Sequence, residues 1–450
     1  MQSSSETICA IATPAGSGAI AIVRVSGPQT RLLAARLFRS AHALEPKVAT
    51  YGTVVDESGA AVDRGIAILS AAPHSYTGED TLELQIHGSP IVAREVVRAL
   101  LACGARYAHA GEFSRRALLN GKMDVHEASA VADLLAAESR SAARAAAANL
   151  GGGVAREVQA LRARLSTILE ELAAAIDFPD EVRDPDRAEL ETSLESIAAE
   201  LRRLQREGEA GRLIREGVGV AIVGPPNAGK SSLLNALLGE DRAIVSEIPG
   251  TTRDTIEETI DIGGVPVRII DTAGIRAHAG RIESAGIERT RRALSEASAA
   301  IVVIDGSQPL SDEAREVLDL TQARPRVIFC NKSDVGDAGA RELDGRTIVA
   351  GSVFDRATLV ALRGALAKAA WGGELPDLER PHLAALFELE AVAQALEALD
   401  RARETLQRGE PADLMAGELQ RAYAALGHLT GEAAGEELLT KIFARFCIGK

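Results

Sequence analysis

One short segment of the 450-residue chain combines the residue types that hold phosphate groups. It runs from Gly224 to Ser231, reads GPPNAGKS, directly follows the apolar run VAIV and precedes a helical pattern. Glycines let backbone N–H groups wrap around phosphate oxygens, a lysine neutralises charge on the β- and γ-phosphates, and a serine hydroxyl ligates Mg²⁺. The segment therefore predicts a nucleoside triphosphate site that uses Lys230 and Ser231 in these two roles.

Two later segments fit a nucleotide-dependent switch. IPGTTRD supplies Thr252 as a candidate second Mg²⁺ ligand, and RIIDTAG ends a predicted strand with Asp271 and the flexible Gly274 beside the γ-phosphate. These elements follow the phosphate loop in the order found in nucleotide hydrolases. Together they predict that the chain hydrolyses its nucleotide.

The segment RVIFCNKSD predicts which base is bound. The Asp334 carboxylate can accept hydrogen bonds from guanine N1–H and from the guanine 2-amino group together, and adenine offers no such donor pair. Asn331 and Lys332 complete this guanine-reading element. The S-A-K element expected near the base appears only as Gly351-Ser352-Val353-Phe354, but its usual work is done by the backbone. We therefore expect GTP rather than ATP.

The position after DTAG lacks the glutamine that orients the attacking water in many GTPases. The residue there is Ile275, which can neither donate nor accept a hydrogen bond through its side chain. Another group must orient the water, or the enzyme is nearly inactive. Asn227, inside the phosphate loop, offers an extra carbonyl ligand that could hold a monovalent cation beside the phosphates, where its charge would offset developing negative charge.

These residues must be positioned by several domains, because 450 residues exceed one ordinary hydrophobic core. Short β-rich runs mixed with helical stretches predict an α+β domain at 1–120, and Ala/Leu/Glu/Arg-rich helical spacing predicts a bundle at 121–214. Alternating strands and helices predict an α/β domain with a mainly parallel sheet at 215–375. Residues 376–450 are helical again. We infer that both helical stretches pack together, with the α/β domain inserted between them.

Composition narrows the class of protein. The chain is 46% hydrophobic and 25% charged, as expected for a globular protein, and no apolar run approaches the length of a membrane span. We therefore expect a soluble cytoplasmic protein with reduced thiols, because its four cysteines are scattered. A net charge of −14 argues against non-specific coating of nucleic acid but leaves room for a local RNA site. The arginines between 140 and 164 are interpreted as a solvated helix face.

Motifs along nearly the whole chain resemble the MnmE (TrmE) family of tRNA-modification GTPases. They include ATPAGSGAIAIVRVSG, YTGEDTLELQIHG, GEFSRRALLNGKMD, AAIDFPDE, GPPNAGKSSLLNALLG, DTAGIR, ESAGIERT and the terminal CIGK. The insertion of a GTPase domain between helices that end in CIGK is particular to this family. The resemblance implies a multidomain α/β plus α fold: an N-terminal α+β folate-binding-type domain, a helical bundle and an inserted P-loop GTPase domain.

The resemblance also implies a function. Members of the family work with an FAD-containing partner, as a heterotetramer, to install a carboxymethylaminomethyl-type group at C5 of the tRNA wobble uridine. Their N-terminal domain forms a homodimer and binds 5-formyl- or methylene-tetrahydrofolate, the presumed one-carbon donor. Their GTPase domains require Mg²⁺ and are activated by K⁺-dependent dimerisation.

Site residues carry over by local alignment. Those for folate fall on Arg24, Glu83, Lys122 and Lys450, those for K⁺ on Asn227, Ser246, Ile248 and Thr251, and the water-orienting residue on Glu283. The complete expected GTP site comprises Gly224, Asn227, Ala228, Gly229, Lys230, Ser231, Ser232, Ser246, Glu247, Ile248, Pro249, Gly250, Thr251, Thr252, Asp271, Thr272, Ala273, Gly274, Asn331, Lys332, Ser333, Asp334, Ser352, Val353 and Phe354.

The sequence leaves alternatives open for the function and for two residues. The chain is either a K⁺-activated GTPase of tRNA modification or a GTP-gated scaffold whose partner carries all modification chemistry. A ribosome-assembly GTPase would share the nucleotide motifs but not the folate-type N-terminal domain or CIGK. Cys447 is either a nucleophile or, as we favour in the absence of a His or Asp partner, a small buried residue that shapes the folate pocket. His87 is interpreted as structural.

Overall fold

The computed structural model describes residues 6–137, 139–240, 258–270, 284–336, 348–373, 380–430, 436–446 and 448–449. The chain forms two compact units. The first comprises residues 1–132, 150–198 and 394–450, and the second comprises residues 133–149 and 199–393. The predicted boundaries at 214/215 and 375/376 stay predictions, and the units themselves divide at 198/199 and 393/394.

The strands in chain order are β1 Ile8–Ile11, β2 Ile20–Ser26, β3 Phe38–Arg39, β4 Thr50–Val55, β5 Ala61–Ser70, β6 Thr81–His87, β7 Arg106–Tyr107, β8 Val218–Val223, β9 Glu258–Ile262, β10 Val265–Ile270, β11 Ala299–Asp305, β12 Arg326–Asn331 and β13 Ile348–Ala350.

The helices are α1 Thr30–Leu37, α2 Pro90–Ala102, α3 Glu112–Leu119, α4 Val125–Ala136, α5 Arg140–Asn149, α6 Gly153–Asp177, α7 Arg187–Glu216, α8 Lys230–Glu240, α9 Ser284–Glu296, α10 Asp312–Leu320, α11 Arg356–Trp371, α12 Leu386–Arg408, α13 Ala412–Thr430 and α14 Glu436–Phe443.

The first unit contains a seven-stranded sheet in the order β3-β4-β5-β6-β2-β1-β7, antiparallel except for the β1–β7 pair. Alternate residues of β2, namely Ala21, Val23 and Val25, are buried against α1 and α2, whereas the intervening residues face away from this core. This confirms the α+β domain expected from the sequence. One face of the sheet therefore remains for other contacts.

The helices of the first unit join segments that are far apart in the sequence. Helix α6 packs along α13, where the guanidinium of Arg162 lies 4.3 Å from the centre of the Tyr423 ring. Arg403 forms an ion pair with Glu195. The two helical stretches that flank the α/β segment thus pack together, as expected. Arg162 is buried, so the arginines between 140 and 164 do not form one solvated face.

The second unit contains a six-stranded sheet in the order β13-β12-β11-β8-β10-β9. Its strands run parallel except β9, which pairs antiparallel with β10 at the edge. Every residue of β8 is buried, as expected for a parallel strand covered by helices on both faces. In such a sheet the loops after the carboxyl ends of the strands form the ligand crevice.

Residues 125–149, which lie within the helical bundle predicted from the sequence, form two helices, α4 and α5. The Ser139 hydroxyl accepts a hydrogen bond from the backbone N–H of Ala142. A serine at this position satisfies an N–H group in the first turn and thus favours the start of a new helix.

Candidate functional site

The phosphate-loop segment lies between β8 and α8, at the carboxyl edge of the second sheet. Gly224 and Gly229 have φ values of +152° and +101°, which side chains rarely adopt. A Cβ at Gly224 would collide with the carbonyl of Val303, and one at Gly229 with the side-chain amide of Asn331. Both glycines are therefore required by geometry, and the loop backbone packs tightly against neighbouring strands.

Lys230 begins helix α8 and folds back over the loop. Its Nζ donates to the carbonyls of Gly224, at 2.8 Å, and Pro225, at 2.7 Å. Burial lowers the pKa of this ammonium group. An anionic phosphate at the helix N-terminus would oppose that shift and stabilise the charged lysine. The arrangement thus fits a triphosphate, with Ser231 and Ser232 next along the same helix.

Asn227 lies at the tip of the loop with φ +59°, a left-handed conformation that asparagine tolerates better than most residues. The residue is exposed, whereas its neighbour Ala228 is buried. Its side-chain carbonyl is therefore free of the core packing that fixes the rest of the loop. This geometry is compatible with a cation ligand.

Asn331 connects three segments of the candidate site. Its Nδ2 donates to the carbonyl of Ala228 at 2.9 Å, and its Oδ1 accepts from the backbone N–H of Val353 at 3.2 Å. Asn331 is only 2% exposed, so the loss of either bond would leave a buried polar group unsatisfied. These two hydrogen bonds hold the phosphate loop and the base-reading segments in fixed positions relative to one another.

Lys332 has φ +64° and forms an ion pair with Asp305, with 2.6 Å between Nζ and Oδ2. The other carboxylate oxygen of Asp305 accepts from the backbone and hydroxyl of Ser307. Burial opposes ionisation of Asp305, but the bonds from Lys332 and Ser307 outweigh it and lower the pKa of the carboxyl. Asp305 was not predicted from the sequence, although its position at the end of β11 is paired with that of Asn331 on β12.

The base-side turn follows β13. Ser333 donates its backbone N–H to the carbonyl of Gly351 at 3.1 Å, so this turn lies against the guanine-reading segment. Ser352 is partly buried, Val353 is buried, and Phe354 is exposed. Asp334 is also exposed at the same edge. The structure thus brings together the phosphate loop, the guanine-reading segment and the poorly matching S-A-K position.

Several residues of the expected site lie outside the described residues. These are Ser246, Glu247, Ile248, Pro249, Gly250, Thr251, Thr252, Asp271, Thr272, Ala273, Gly274 and Glu283. Their roles as switch, cation and water-orienting residues stay predictions.

A second polar cluster lies in the first unit, on the face of the sheet opposite its core. Arg24 on β2 and Glu83 on β6 are cross-strand neighbours joined by hydrogen bonds of 2.9 Å. A further Arg24 nitrogen donates to the carbonyl of Gly449, at 3.2 Å. The rings of Tyr76 and Phe113 lie 5.6 and 5.7 Å from the Arg24 guanidinium carbon. The C-terminal segment therefore contacts Arg24, which is paired with Glu83, the other expected folate residue on this face.

The remaining expected folate residues are less fully placed. Lys122 is exposed, and its side chain lies beside Gly78, in the same loop as Tyr76. Lys450 and Cys447 lie outside the described residues, but their neighbours Ile448 and Gly449 are described, and Ile448 forms a β-bridge with Ala110. The terminus is thus held against the sheet at the residue next to Lys450.

A network of charges near this cluster was not anticipated from the sequence. Arg116, only 4% exposed, donates to Glu79 and Glu112, each at 3.0 Å, and Arg106 donates to Glu112 at 2.7 Å. Burial opposes ionisation of Glu112, but bonds from Arg106, the backbone of His109 and Arg116 lower its pKa to about 2. Glu112 and Arg116 are four residues apart on α3, the spacing of a helical ion pair, whereas Glu79 joins the network from a distant part of the chain.

His87 is exposed and bonds through Nδ1 to Asp63 at 2.8 Å, with its backbone N–H also donating to that carboxylate. Both contacts fix the end of β6 against β5, in agreement with a structural role. In the described part of the chain, no helix is both long and apolar enough to cross a membrane.

Comparison with known proteins covers the whole chain. Residues 7–122 match the family model of the GTP-binding protein TrmE N-terminus, and residues 125–447 match that of the MnmE helical domain. Proteins named tRNA modification GTPase MnmE are 42% identical in Chloroflexus aurantiacus, over 99% of this chain and 100% of theirs, and 43% identical in Xanthomonas campestris pv. campestris, over 100% of both. The relative in Symbiobacterium thermophilum is 42% identical over 99% of each chain.

Proposed function

Because this chain belongs to the MnmE family of tRNA-modification GTPases, we propose that it couples K⁺-activated GTP hydrolysis to modification of the wobble uridine. The protein is a GTP hydrolase that acts in tRNA modification. The proposal adds an FAD-containing partner, a heterotetrameric complex and a carboxymethylaminomethyl-type product at C5, with a one-carbon unit drawn from tetrahydrofolate. Domain boundaries at 1–120, 121–214, 215–375 and 376–450 belong to the same proposal.

In the nucleotide site, the phosphate-loop amides and Lys230 bind the β- and γ-phosphates, and Ser231 with Thr252 holds Mg²⁺. Asp334 accepts from the guanine edge, while Asn331 fixes that segment against the phosphate loop. Two observations support this assignment: both glycines of the loop sit where side chains would collide, and Lys230 donates to two carbonyls of the loop. A phosphate can replace those carbonyls without rearrangement of the strands.

In the same proposal, K⁺ is held by Asn227 and Ser246, by the carbonyl of Ile248 and by Thr251. When bound, the cation supplies positive charge against the charge that develops between the β- and γ-phosphates. Glu283 orients the attacking water through a bridging water, because direct contact between a carboxylate and the γ-phosphate would be repulsive. The left-handed, exposed Asn227 supports the first of these assignments.

The folate assignment is supported by the chemistry of the cluster around Arg24. Glu83 can accept from the 2-amino edge of a pterin, and the cations of Lys122 and Lys450 suit a glutamate tail. The ring of Tyr76, which is 39% exposed, borders the cluster and adds apolar surface for a flat heterocycle. Tetrahydrofolate, when bound, would supply the one-carbon unit at this place.

The homodimer is supported by apolar residues on the same outer face of the first sheet. Tyr51 and Ile66 are cross-strand neighbours that are 67% and 36% exposed, and Ile20 on β2 is 59% exposed. Ile20 and Arg24 share one face by the alternation of β2. A second copy that covered these residues would bury apolar surface next to the proposed folate site.

The observation that carries the full proposal is the contact of Arg24 with both Glu83 and Gly449. A GTPase needs no such contact for nucleotide hydrolysis, because the cluster belongs to the first unit and the phosphate loop to the second. A shared function of both sites explains why one chain contains them. The modification chemistry is that function in our proposal.

The competing proposal is a GTP-gated scaffold whose partner carries all modification chemistry. Reconstitution with the FAD-containing partner and tRNA separates the two when GTP is compared with a non-hydrolysable analogue. We expect the wobble nucleoside, followed by mass spectrometry, to be modified with GTP only. Full modification with the analogue would favour the scaffold, and Lys230→Ala provides the matched protein that binds neither nucleotide well.

A further inference from the structure

Phe354 is 89% exposed, and none of the large apolar side chains in the described part of the chain is more exposed. It directly follows Val353, which is 5% exposed and packs in the core of the second unit. Scattered exposed apolar residues are common on proteins. The position of Phe354 is unusual because it lies in the turn after β13, at the carboxyl edge of the sheet where ligands bind.

The backbone on both sides of Phe354 is held in place. The Val353 N–H donates to Asn331 at 3.2 Å, and the Asp355 N–H donates to the carbonyl of Ser352 at 3.0 Å. Asp355 also caps α11 by accepting from the N–H groups of Ala357 and Thr358. The phenyl ring therefore projects from a fixed turn. A ring on a fixed turn loses little further backbone freedom when a ligand binds.

The same turn is tied to the segment that reads guanine. Ser333 donates to Gly351 at 3.1 Å, and Gly351 donates to Cys330 at 3.0 Å. Asp334, exposed next to Ser333, offers its carboxylate at this edge. One side of the proposed base site thus carries an acceptor for the guanine edge, and the neighbouring turn carries an uncovered aromatic face.

We propose that the Phe354 ring stacks on the face of the bound guanine, an inference that rests on the proposed GTP site. The chain has phenylalanine where the S-A-K pattern would place lysine. A purine presents a flat π-face, and aromatic side chains stack on such faces whatever the pattern of donors at the base edge. Phe354 therefore contributes affinity for the base, while Asp334 selects guanine.

Direct measurement of GDP affinity by calorimetry tests the inference. Phe354→Ala should weaken GDP binding by about 10- to 100-fold, the range found when a stacking aromatic is removed. Phe354→Tyr should keep wild-type GDP affinity because it keeps the ring. Phe354→Leu removes the ring and should lose most of the GDP affinity that the ring contributes. Val360→Ala, on the exposed side of α11, is the matched control and should leave affinity unchanged.

Two further readouts separate stacking from a loss of folding. Phe354→Trp should show indole fluorescence quenched by GDP, and Val360→Trp, with the same background from Trp371, should not. Phe354→Ala should weaken the binding of inosine diphosphate by the same factor as the binding of GDP, because stacking does not read the 2-amino group.

The outcomes are distinct. GDP affinity within about twofold of wild type in Phe354→Ala, or full affinity in Phe354→Leu, would overturn the stacking inference and leave the GTP site intact. An unquenched Trp at 354 would also overturn it. Failure of the wild-type protein to bind GDP would instead refute the proposed nucleotide site.

Discussion

The side-chain amide of Asn331 donates to the backbone carbonyl of Ala228 across 2.9 Å, which links the base-reading segment to the phosphate loop. The same side chain accepts from Val353, so one buried residue holds three loops that come from different strands. The base and the phosphates of a nucleotide lie at a fixed separation. Asn331 therefore sets the spacing of the two ends of the proposed site.

We expect Asn331→Ala to weaken GDP binding by about 10- to 100-fold, because each buried polar group left without a partner costs about 1–3 kcal/mol. Fluorescence titration with a labelled guanine nucleotide measures the effect. Asn149→Ala is the matched control: Asn149 accepts a buried hydrogen bond from His382, and its loss should lower stability without changing GDP affinity. Equal affinity in Asn331→Ala and wild type would contradict this role.

Hydrolysis of GTP should be at least about tenfold faster in K⁺ than in Na⁺, because a cation held beside the phosphates stabilises developing charge. Asn227→Gly should abolish this difference while GTP affinity persists. Glycine is the suitable replacement because it tolerates the φ of +59° without strain. Steady-state rates at constant ionic strength provide the measurement, and equal rates in both salts for the wild-type protein would refute the cation site.

Glu283→Ala should lower single-turnover hydrolysis by about 100-fold or more and leave GTP and GDP affinities close to wild type, because it removes a group that positions water. Ile275 cannot take over that task, because its side chain offers no hydrogen bond. Glu296→Ala, at an exposed glutamate that ends α9, is the control and should hydrolyse normally. A normal rate in Glu283→Ala would return this residue to the class of surface charges, and Arg253 and Asp254 would be tested next.

Removal of the last four residues should weaken binding of 5-formyltetrahydrofolate, and Arg24→Met should do the same, because Arg24 is bonded to both Glu83 and Gly449. We expect each change to lower the folate affinity by about tenfold or more. The two changes together should lower it by nearly the same factor, because both disrupt one cluster. Calorimetry with the folate gives the affinities. Arg31→Met, which breaks the exposed ion pair with Asp80, is the control.

Folate affinity that survived the truncation would count against the assignment. GDP affinity should remain unchanged in each of these variants, because the residues belong to the first unit and the phosphate loop belongs to the second. A parallel loss of GDP binding would indicate general unfolding instead.

Acid should destabilise the first unit in part through Glu112. Its folded-state pKa of about 2 lies below the value of an unfolded glutamate, so its contribution to stability is present above the unfolded pKa and is lost as pH falls toward 2. Glu112→Gln should lower the free energy of unfolding by about 3 kcal/mol at neutral pH, because it leaves Arg116 short of a partner. The difference from wild type should shrink between about pH 4.5 and pH 2.

Denaturant unfolding at several pH values measures this dependence. Glu95→Gln is the control, because it removes an exposed carboxylate from α2. Its free energy of unfolding should differ little from that of wild type at neutral pH. If the difference in free energy of unfolding between Glu112→Gln and wild type stayed constant down to pH 2, the carboxylate would not be held in its charged form.

The chemistry of the nucleotide site could be predicted from short stretches of consecutive residues. Phosphate loops, cation sites and base-reading turns depend on residue types at short spacing, and GPPNAGKS and NKSD contain their chemistry within a few consecutive residues. The β-rich run that contains β2 and the apolar run of β8 likewise predicted strands, because both are rich in β-branched and apolar residues. The CIGK terminus and the N-terminal motifs predicted the family.

Which distant residues share a site depends on how the whole chain packs. Arg24 meets Gly449, and Lys332 meets Asp305, through strand pairing and chain return that leave no local signal in the sequence. The ion pair of Arg116 with Glu79 is of the same kind, and Arg162 is buried against Tyr423 although the charge pattern suggested a solvated face. Burial and partner choice depend on every element packed around a residue, so a local pattern specifies the groups available for chemistry but not the neighbours they meet.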